Sequence, residues 1–134
     1  MIEVYSKSRC KIIIDINTRI KNEREYIYNR IRSSIIDRIC NSDVYNKTSI
    51  ESYYNENYPV MILYNNGTGD ESQDYHWRKF IRETLDNLTA IVETEFKNGK
   101  AVTKQYLIRY NVEFDIVDSY YIESDFPGEL TWIR

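Results

Sequence analysis

The sequence of 134 residues has little glycine and proline, with four residues of the first and two of the second. Such a composition leaves no flexible or collagen-like tract, and an apolar share of 42% is too high for a disordered chain. No apolar run approaches the roughly 18 residues of a membrane-spanning helix, and no signal-peptide pattern is present. We therefore expect a single α+β domain over residues 1–134, located in the cytoplasm, or in a virion if the protein is viral.

Cysteine and histidine are also scarce, since only Cys10, Cys40 and His76 occur. Without an export signal the two thiols are expected to be reduced, and a disulfide framework is excluded. Zinc usually needs four Cys or His ligands, or three and an open position. The sequence therefore predicts no metal site and no cofactor.

Recognisable catalytic motifs are missing as well. A general base would have to be His76, which we expect at the first turn of the second helix in a packing or surface role. The loop Asn66–Gly69 lacks the lysine and glycine spacing of a phosphate-binding loop, and the acids after it lack the spacing of a calcium loop. We predict that the protein is not an enzyme and has no catalytic residues.

Alanine occurs only at positions 90 and 101, whereas isoleucine, asparagine and the 13 tyrosines are abundant. These residues belong to AT-rich codons. The composition is typical of AT-rich phages, viruses, mobile elements and low-GC Firmicutes. This link between composition and source is a statistical association and has no physical basis in the fold.

The apolar pattern of the first half predicts strands and one helix. We expect two short strands, at Ile2–Val4 and Ile12–Ile16, joined by a turn at Ser6–Arg9. Residues 44–57 are polar and predict a loop or an irregular helix, before a central strand at 60–64. Between them, a helix from a cap at Asn17 or Thr18 to Cys40 should bury Ile20, Ile27, Ile31, Ile35 and Ile39.

The second half has one ambiguous stretch. We favour a long helix, capped by Asp74 and stopped by Asn98-Gly99, in which Trp77, Ile81, Leu88, Val92 and Phe96 share a face. The alternative ends the helix near Asn87 and makes Thr89–Phe96 and Ala101–Ile108 a hairpin around Asn98-Gly99.

Alternation of period two follows from Val102 to Ile116. It predicts either one long strand or two strands joined by a bulge near Asn111. A last strand should follow Pro127-Gly128.

These elements predict an α+β fold, a two-layer sandwich with about two helices packed on one face of a mostly antiparallel sheet. The predicted core combines the two helix stripes with apolar residues of the strands: Ile20, Ile27, Ile31, Ile35, Trp77, Ile81, Leu88, Val92, Ile12, Ile14, Ile62, Ile108 and Phe114.

Charge is unevenly distributed over a net charge of −3. Residues 1–40 hold nine basic groups and five acids, whereas residues 110–134 hold six acids and one arginine. Opposite charges of this kind could pair copies of the chain head to tail, although a solvated charged face is the simpler explanation.

Tyrosine exceeds what a small core can bury with every hydroxyl satisfied, so several tyrosines should lie at an interaction surface. The candidate interaction residues are Tyr53, Tyr54, Glu113, Asp115, Asp118, Tyr120 and Tyr121.

The sequence favours a non-catalytic protein–protein interaction or assembly protein, for example a ring-forming virion head–tail or tail component, whose partner is itself or a host or virion protein. One alternative is a small inhibitor of a host defence protein or nucleic-acid enzyme. Another is a nucleotide-binding sponge that uses arginine and tyrosine at a subunit interface. Nucleic acid is not the expected partner because the chain is acidic, and no membrane partner is expected.

Overall fold

The computed structural model describes residues 2–53, 59–65, 71–123 and 130–133, with side chains over 8–51, 59–65 and 74–116. All strand pairs are antiparallel, in the order β2-β3-β1-β5-β4, and β6 also pairs with β5. The fold is α+β. Its elements are β1 (Ile2–Ile16), α1 (Lys21–Cys40), β2 (Thr48–Tyr53), β3 (Val60–Asn65), α2 (Glu71–Asp86), β4 (Ala90–Lys97), β5 (Lys100–Glu123) and β6 (Leu130–Ile133).

The sheet is built around one long pair of strands, β1 and β5. β1 runs beside β5 from Ile2 to Ile16, with one register shift between Lys7 and Ser8. The predicted division of this segment into two strands is therefore wrong, because the expected turn at Ser6–Arg9 is itself paired with β5.

For the alternation that begins at Val102, the prediction of one long strand is correct, because β5 runs unbroken from Lys100 to Glu123. The alternative bulge near Asn111 is wrong, since the register shift lies opposite Lys7 and Ser8.

Helix α1 ends at Cys40 as predicted, but it begins at Lys21 and not directly after Asn17 or Thr18. The Thr18 hydroxyl accepts the amide of Ile20 at 3.3 Å and donates to the Glu23 carboxylate at 3.0 Å, so it stabilises the helix entry from outside. Ile20 itself is 56% exposed, contrary to its predicted place in the core. The buried side chains of α1 are Ile27, Tyr28, Ile31, Ile35 and Ile39.

The expected loop over residues 44–57 is wrong in its second half, where β2 pairs with β3. β2 is an edge strand, and among its described side chains only Ile50 is apolar and packed against the core. A single inward apolar residue leaves no visible alternation, and the strand escapes a pattern search for that reason.

Strand β3 was predicted in the right place and lies between β2 and β1. Alternate side chains are buried, with Met61 and Leu63 fully enclosed and Ile62 half-buried on the opposite face. The predicted core position of Ile62 is wrong because the strand buries only one of its faces.

Helix α2 begins at Glu71, so Asp74 lies inside the helix and is not its cap. The Asp74 carboxylate accepts hydrogen bonds from the hydroxyl of Ser8, which is buried on β1, and from Arg78 Nε at 2.9 Å. Asp74 thereby ties the helix to the sheet.

The long helix is wrong and the alternative hairpin is correct, because α2 ends at Asp86 and β4 follows at Ala90. Asn98 and Gly99 both have positive φ, 54° and 76°, which is the backbone of a two-residue hairpin turn. Val92 is 54% exposed on β4, so its predicted core position is wrong too.

The core lies on one face of the sheet and receives both helices, each of which contacts β1. The Trp77 ring meets the Phe114 ring edge-on at 6.1 Å, and Leu88 and Phe114 are partly buried against the core. Within the described residues, neither helix is long and apolar enough to cross a membrane. The buried apolar side chains of the sheet and α2 are Cys10, Ile12, Ile14, Ile16, Met61, Leu63, Ile91, Tyr106, Ile108, Trp77, Ile81 and Leu85.

Truncation of Ile31 to alanine should reduce the free energy of unfolding by about 2–5 kcal/mol, because Ile31 is fully buried and the change leaves a cavity. The same truncation at Ile20, which is 56% exposed, should change it by no more than about 0.5 kcal/mol. Urea unfolding followed by circular dichroism measures both. Equal losses in the two variants would contradict the assigned face of α1.

Candidate interaction surface

The β4–β5 hairpin presents one of its faces to α1. Ile91 and Tyr106 are paired in register and buried on this face. On the same face, Lys104 forms an ion pair with Glu23 of α1. These contacts hold the hairpin against the helix and fix the direction of its other face.

The other face of the hairpin is exposed and carries no ionisable group. Phe96 is 80% exposed, and Val92 and Leu107 are each 54% exposed. Val92 and Leu107 are diagonal neighbours across the two strands, and one pair of threonines separates them from Phe96. Exposed apolar side chains that share one face mark interaction sites more often than scattered ones do. We call this surface the hairpin face; it consists of Ala90, Val92, Thr94, Phe96, Ala101, Thr103, Gln105 and Leu107.

The hairpin face continues along β5 into the face of the sheet that the helices leave open. Side chains alternate along a strand, so the residues that follow Leu107 on the same side are Arg109, Asn111, Glu113 and Asp115. All four are exposed. The open face therefore changes from uncharged at the hairpin to mixed charge beside β1.

An ion pair crosses the open face between Arg9 of β1 and Asp115 of β5. Arg9 Nε donates to Asp115 Oδ1 at 3.0 Å, and Nη2 donates to the second carboxylate oxygen. The Arg9 guanidinium lowers the pKa of Asp115 through this hydrogen bond and through its charge. Asp115 is thus partly neutralised within its own chain.

The structure separates the candidate interaction residues that the sequence suggested. Glu113 and Asp115 lie together on the open face of β5, whereas Tyr53 ends β2, beyond β1 and β3. Tyr54 lies outside the described residues. The remaining three, Asp118, Tyr120 and Tyr121, follow the register shift on β5, where the structure describes the backbone.

Sequence reasoning missed the hairpin face because the helix prediction placed Val92 and Phe96 in the core. The signal that finds it is the Asn98-Gly99 turn. Once the two strands are paired about that turn, alternation puts every charged residue of β4 on the side of α1 and leaves the other side uncharged.

The groups of potential catalytic interest are on three different elements. His76 is exposed on α2, with its ring edge-on to Tyr75 at 5.5 Å. Cys10 is buried in β1, and Cys40 is exposed at the end of α1. Over the described part of the chain, no three His, Cys, Asp or Glu side chains are grouped as metal ligands.

No protein-family model matches the chain, and comparisons with curated proteins and with solved structures give no match either.

Substitution of Arg9 by glutamine should raise the pKa of the Asp115 carboxyl towards its ordinary value, because the hydrogen bond and the positive charge are both lost. Since the folded-state pKa is lowered, the ion pair contributes stability above the unfolded-state pKa and loses it as the pH falls. Carbonyl-detected NMR titration measures the pKa. Lys11→Gln, on the same strand and face, is the control, and an equal shift in both variants would contradict a specific pair.

Native protein should react with a thiol reagent at Cys40 alone. Burial raises the pKa of the Cys10 thiol to about 12, so almost none of it is the reactive thiolate at neutral pH. Labelling with Ellman's reagent should give one equivalent in the folded wild type, two in urea, and none in the folded Cys40→Ser variant. Rapid labelling of folded Cys40→Ser would show that β1 is not enclosed as described.

Proposed function

We propose that the protein is a non-catalytic assembly protein that self-associates through the hairpin face. The observation that carries the proposal is the exposure of Phe96, Val92 and Leu107 on a surface without ionisable groups. Burial of each of these side chains away from water stabilises the contact, by roughly 25 cal/mol for each Å² of apolar area buried.

A second copy of the chain is the partner that this surface fits. When two identical faces meet about a two-fold axis, each contributes the same side chains to the contact. A charged residue on that face would be buried twice, once from each copy, and burial of an unpaired charge is costly. The hairpin face has no charge to bury. Strand β4 is also at the end of the sheet order, and an edge strand with an uncharged, exposed face is a site for association.

The interface would extend beyond the hairpin face, because a standard interface has about 20–30 residues on each side. The adjoining residues on β5, such as Arg109 and Glu113, supply a polar rim of both signs. Rim charges of both signs can pair between copies and select one orientation of contact. A two-fold contact of this kind closes a dimer. A ring-forming virion component, one of the assemblies suggested by the sequence, would need a head-to-tail contact in addition.

Substitution of Phe96 by glutamate should convert the self-associated protein into a monomer, because each contact would then bury two carboxylates. Sedimentation equilibrium or light scattering after size exclusion gives the mass. The control is Val44→Glu, since Val44 is 76% exposed in the segment between α1 and β2 and is distant in the sequence from the hairpin.

The wild type and Val44→Glu should share one mass above that of a single chain, and both variants should keep the far-UV circular dichroism spectrum of the wild type. Phe96→Glu should melt at a lower temperature than the wild type only to the extent that association stabilises the folded chain. A wild type that stays monomeric up to millimolar concentration would overturn the proposal. An assembly that Phe96→Glu leaves intact would assign the contact to another surface.

A further inference from the structure

Strand pairing along the outer edge of β5 is interrupted between β4 and β6. β4 pairs with β5 up to Leu107, and β6 pairs with it from Ser119 onwards. Between these positions β5 has β1 on one edge, and no strand of the described chain on the other. This gap covers residues 109–118, about 30 Å of extended backbone.

The direction of the backbone groups in this gap follows from two hydrogen bonds. The amide of Asn17, just beyond β1, donates to the carbonyl of Leu107 at 3.0 Å, so Leu107 faces the β1 side. The amide of Ile108 donates to Thr89 at 2.9 Å, on the outer side. Antiparallel strands alternate in this respect. The amides and carbonyls of Tyr110, Val112 and Phe114 therefore face outwards, where no described residue pairs with them.

A groove of about 500 Å³ lies along this edge, between α2 and β5. Arg82, Leu85 and Asp86 line it from α2. Thr89, Ile108, Arg109, Tyr110 and Val112 line it from the other side. The Tyr110 hydroxyl is engaged with the carbonyl of Leu88 at 2.6 Å, which holds the floor of the groove in place.

Arg82, at the groove, is positioned to bind a carboxylate. The Arg82 guanidinium lies 5.0 Å from the centre of the Phe114 ring, a stacking that leaves the N–H groups at its rim free to donate. Arg78 stacks on the same ring at 5.1 Å but is paired with Asp74. Among the described residues, Arg82 has no carboxylate partner within ion-pair distance.

We propose that the outer edge of β5 at residues 110–114 binds an extended, carboxylate-bearing peptide segment of a partner protein as an added antiparallel strand. The unpaired backbone groups would supply the main-chain hydrogen bonds, and alternate side chains of the peptide would face α2. An acidic side chain in that row meets Arg82, and apolar ones meet Leu85 and Val112. This site contains none of the residues of the hairpin face, and it does not depend on self-association. Arg109 lines the groove and also adjoins the hairpin face, as part of the rim described above.

A peptide fits this edge better than a nucleotide or a free phosphate does. A row of outward amides alternating with carbonyls complements another backbone along its length, whereas a phosphate is compact, consists mainly of acceptor oxygens and cannot pair with the row of carbonyls. Phosphate and nucleotide binding are nonetheless measured as competing outcomes.

The probe is the heptapeptide Thr-Val-Thr-Glu-Thr-Val-Thr with blocked ends, in which valine, glutamate and valine form the row that faces α2. We expect saturable binding in low salt by calorimetry. Hydrogen exchange should slow at the amides of Tyr110, Val112 and Phe114. It should not change at Asn111 and Glu113, whose amides already face β1.

Two matched peptides test the backbone and the charge. N-methylation of the valines and the glutamate removes the amides that an antiparallel strand directs at β5, and should abolish binding. N-methylation of the third and fifth residues, whose amides point away, should be tolerated. Replacement of the glutamate by lysine should weaken binding about tenfold, because a charge-assisted hydrogen bond is lost.

Two matched variants of the protein test the arginine. Arg82→Gln should weaken binding of the glutamate peptide about tenfold and leave the lysine peptide unchanged or tighter. The control is Lys79→Gln, which removes one positive charge from an exposed position of the same helix. It should change the affinity less than about twofold, since exposed charges are screened by solvent. Phe96→Glu should bind the peptide like the wild type, which separates this site from the hairpin face.

The proposal would be overturned by the absence of saturable peptide binding, or by binding that is indifferent to which amides are methylated. Binding of inorganic phosphate or ADP that requires Arg82, in the absence of peptide binding, would assign the groove to a small anion and overturn it as well.

Discussion

The backbone pairing of β1 with β5 is the constraint on which the rest of the structure depends. β1 lies between β3 and β5, and β5 lies between β1 and the pair β4 and β6, so removal of this contact divides the sheet into two parts. The same pairing sets the faces of both strands. It places Ile12, Ile14 and Ile108 under the helices and leaves Arg9, Lys11 and Glu113 on the open side.

The two proposed sites follow from the length of β5, which is greater than that of each strand paired with it. Its first part extends beyond β1 and needs β4 to complete the hairpin, of which α1 covers only one face. Its middle part lies between the ends of β4 and β6, and one edge has no strand of the described chain beside it. A strand longer than each of its neighbours therefore has one uncovered face and one uncovered edge.

Much of the fold could be predicted from the sequence where one period held over many residues. The stripe from Ile27 to Ile39 gave α1, and the alternation from Tyr106 to Phe114 gave the buried face of β5. Residues 88–96 satisfy a helical period and a strand period equally, and what decides between them is the Asn98-Gly99 turn and the pairing with β5. The hairpin face depends on that decision, and the gap in the edge depends on which strands are neighbours, a property that no local pattern contains.

The pairing of β1 with β5 also affects how the chain folds during its synthesis. β4 and β5 are joined by two residues and can pair within microseconds, whereas β1 is translated long before Ile108, the first residue of β5 that pairs with it. At about 5–20 residues per second, the delay is roughly 5–20 s. For that time the β-branched run from Ile12 to Ile16 has no strand to cover it on the β5 side, and an uncovered segment of this composition is a general site of aggregation in nascent chains.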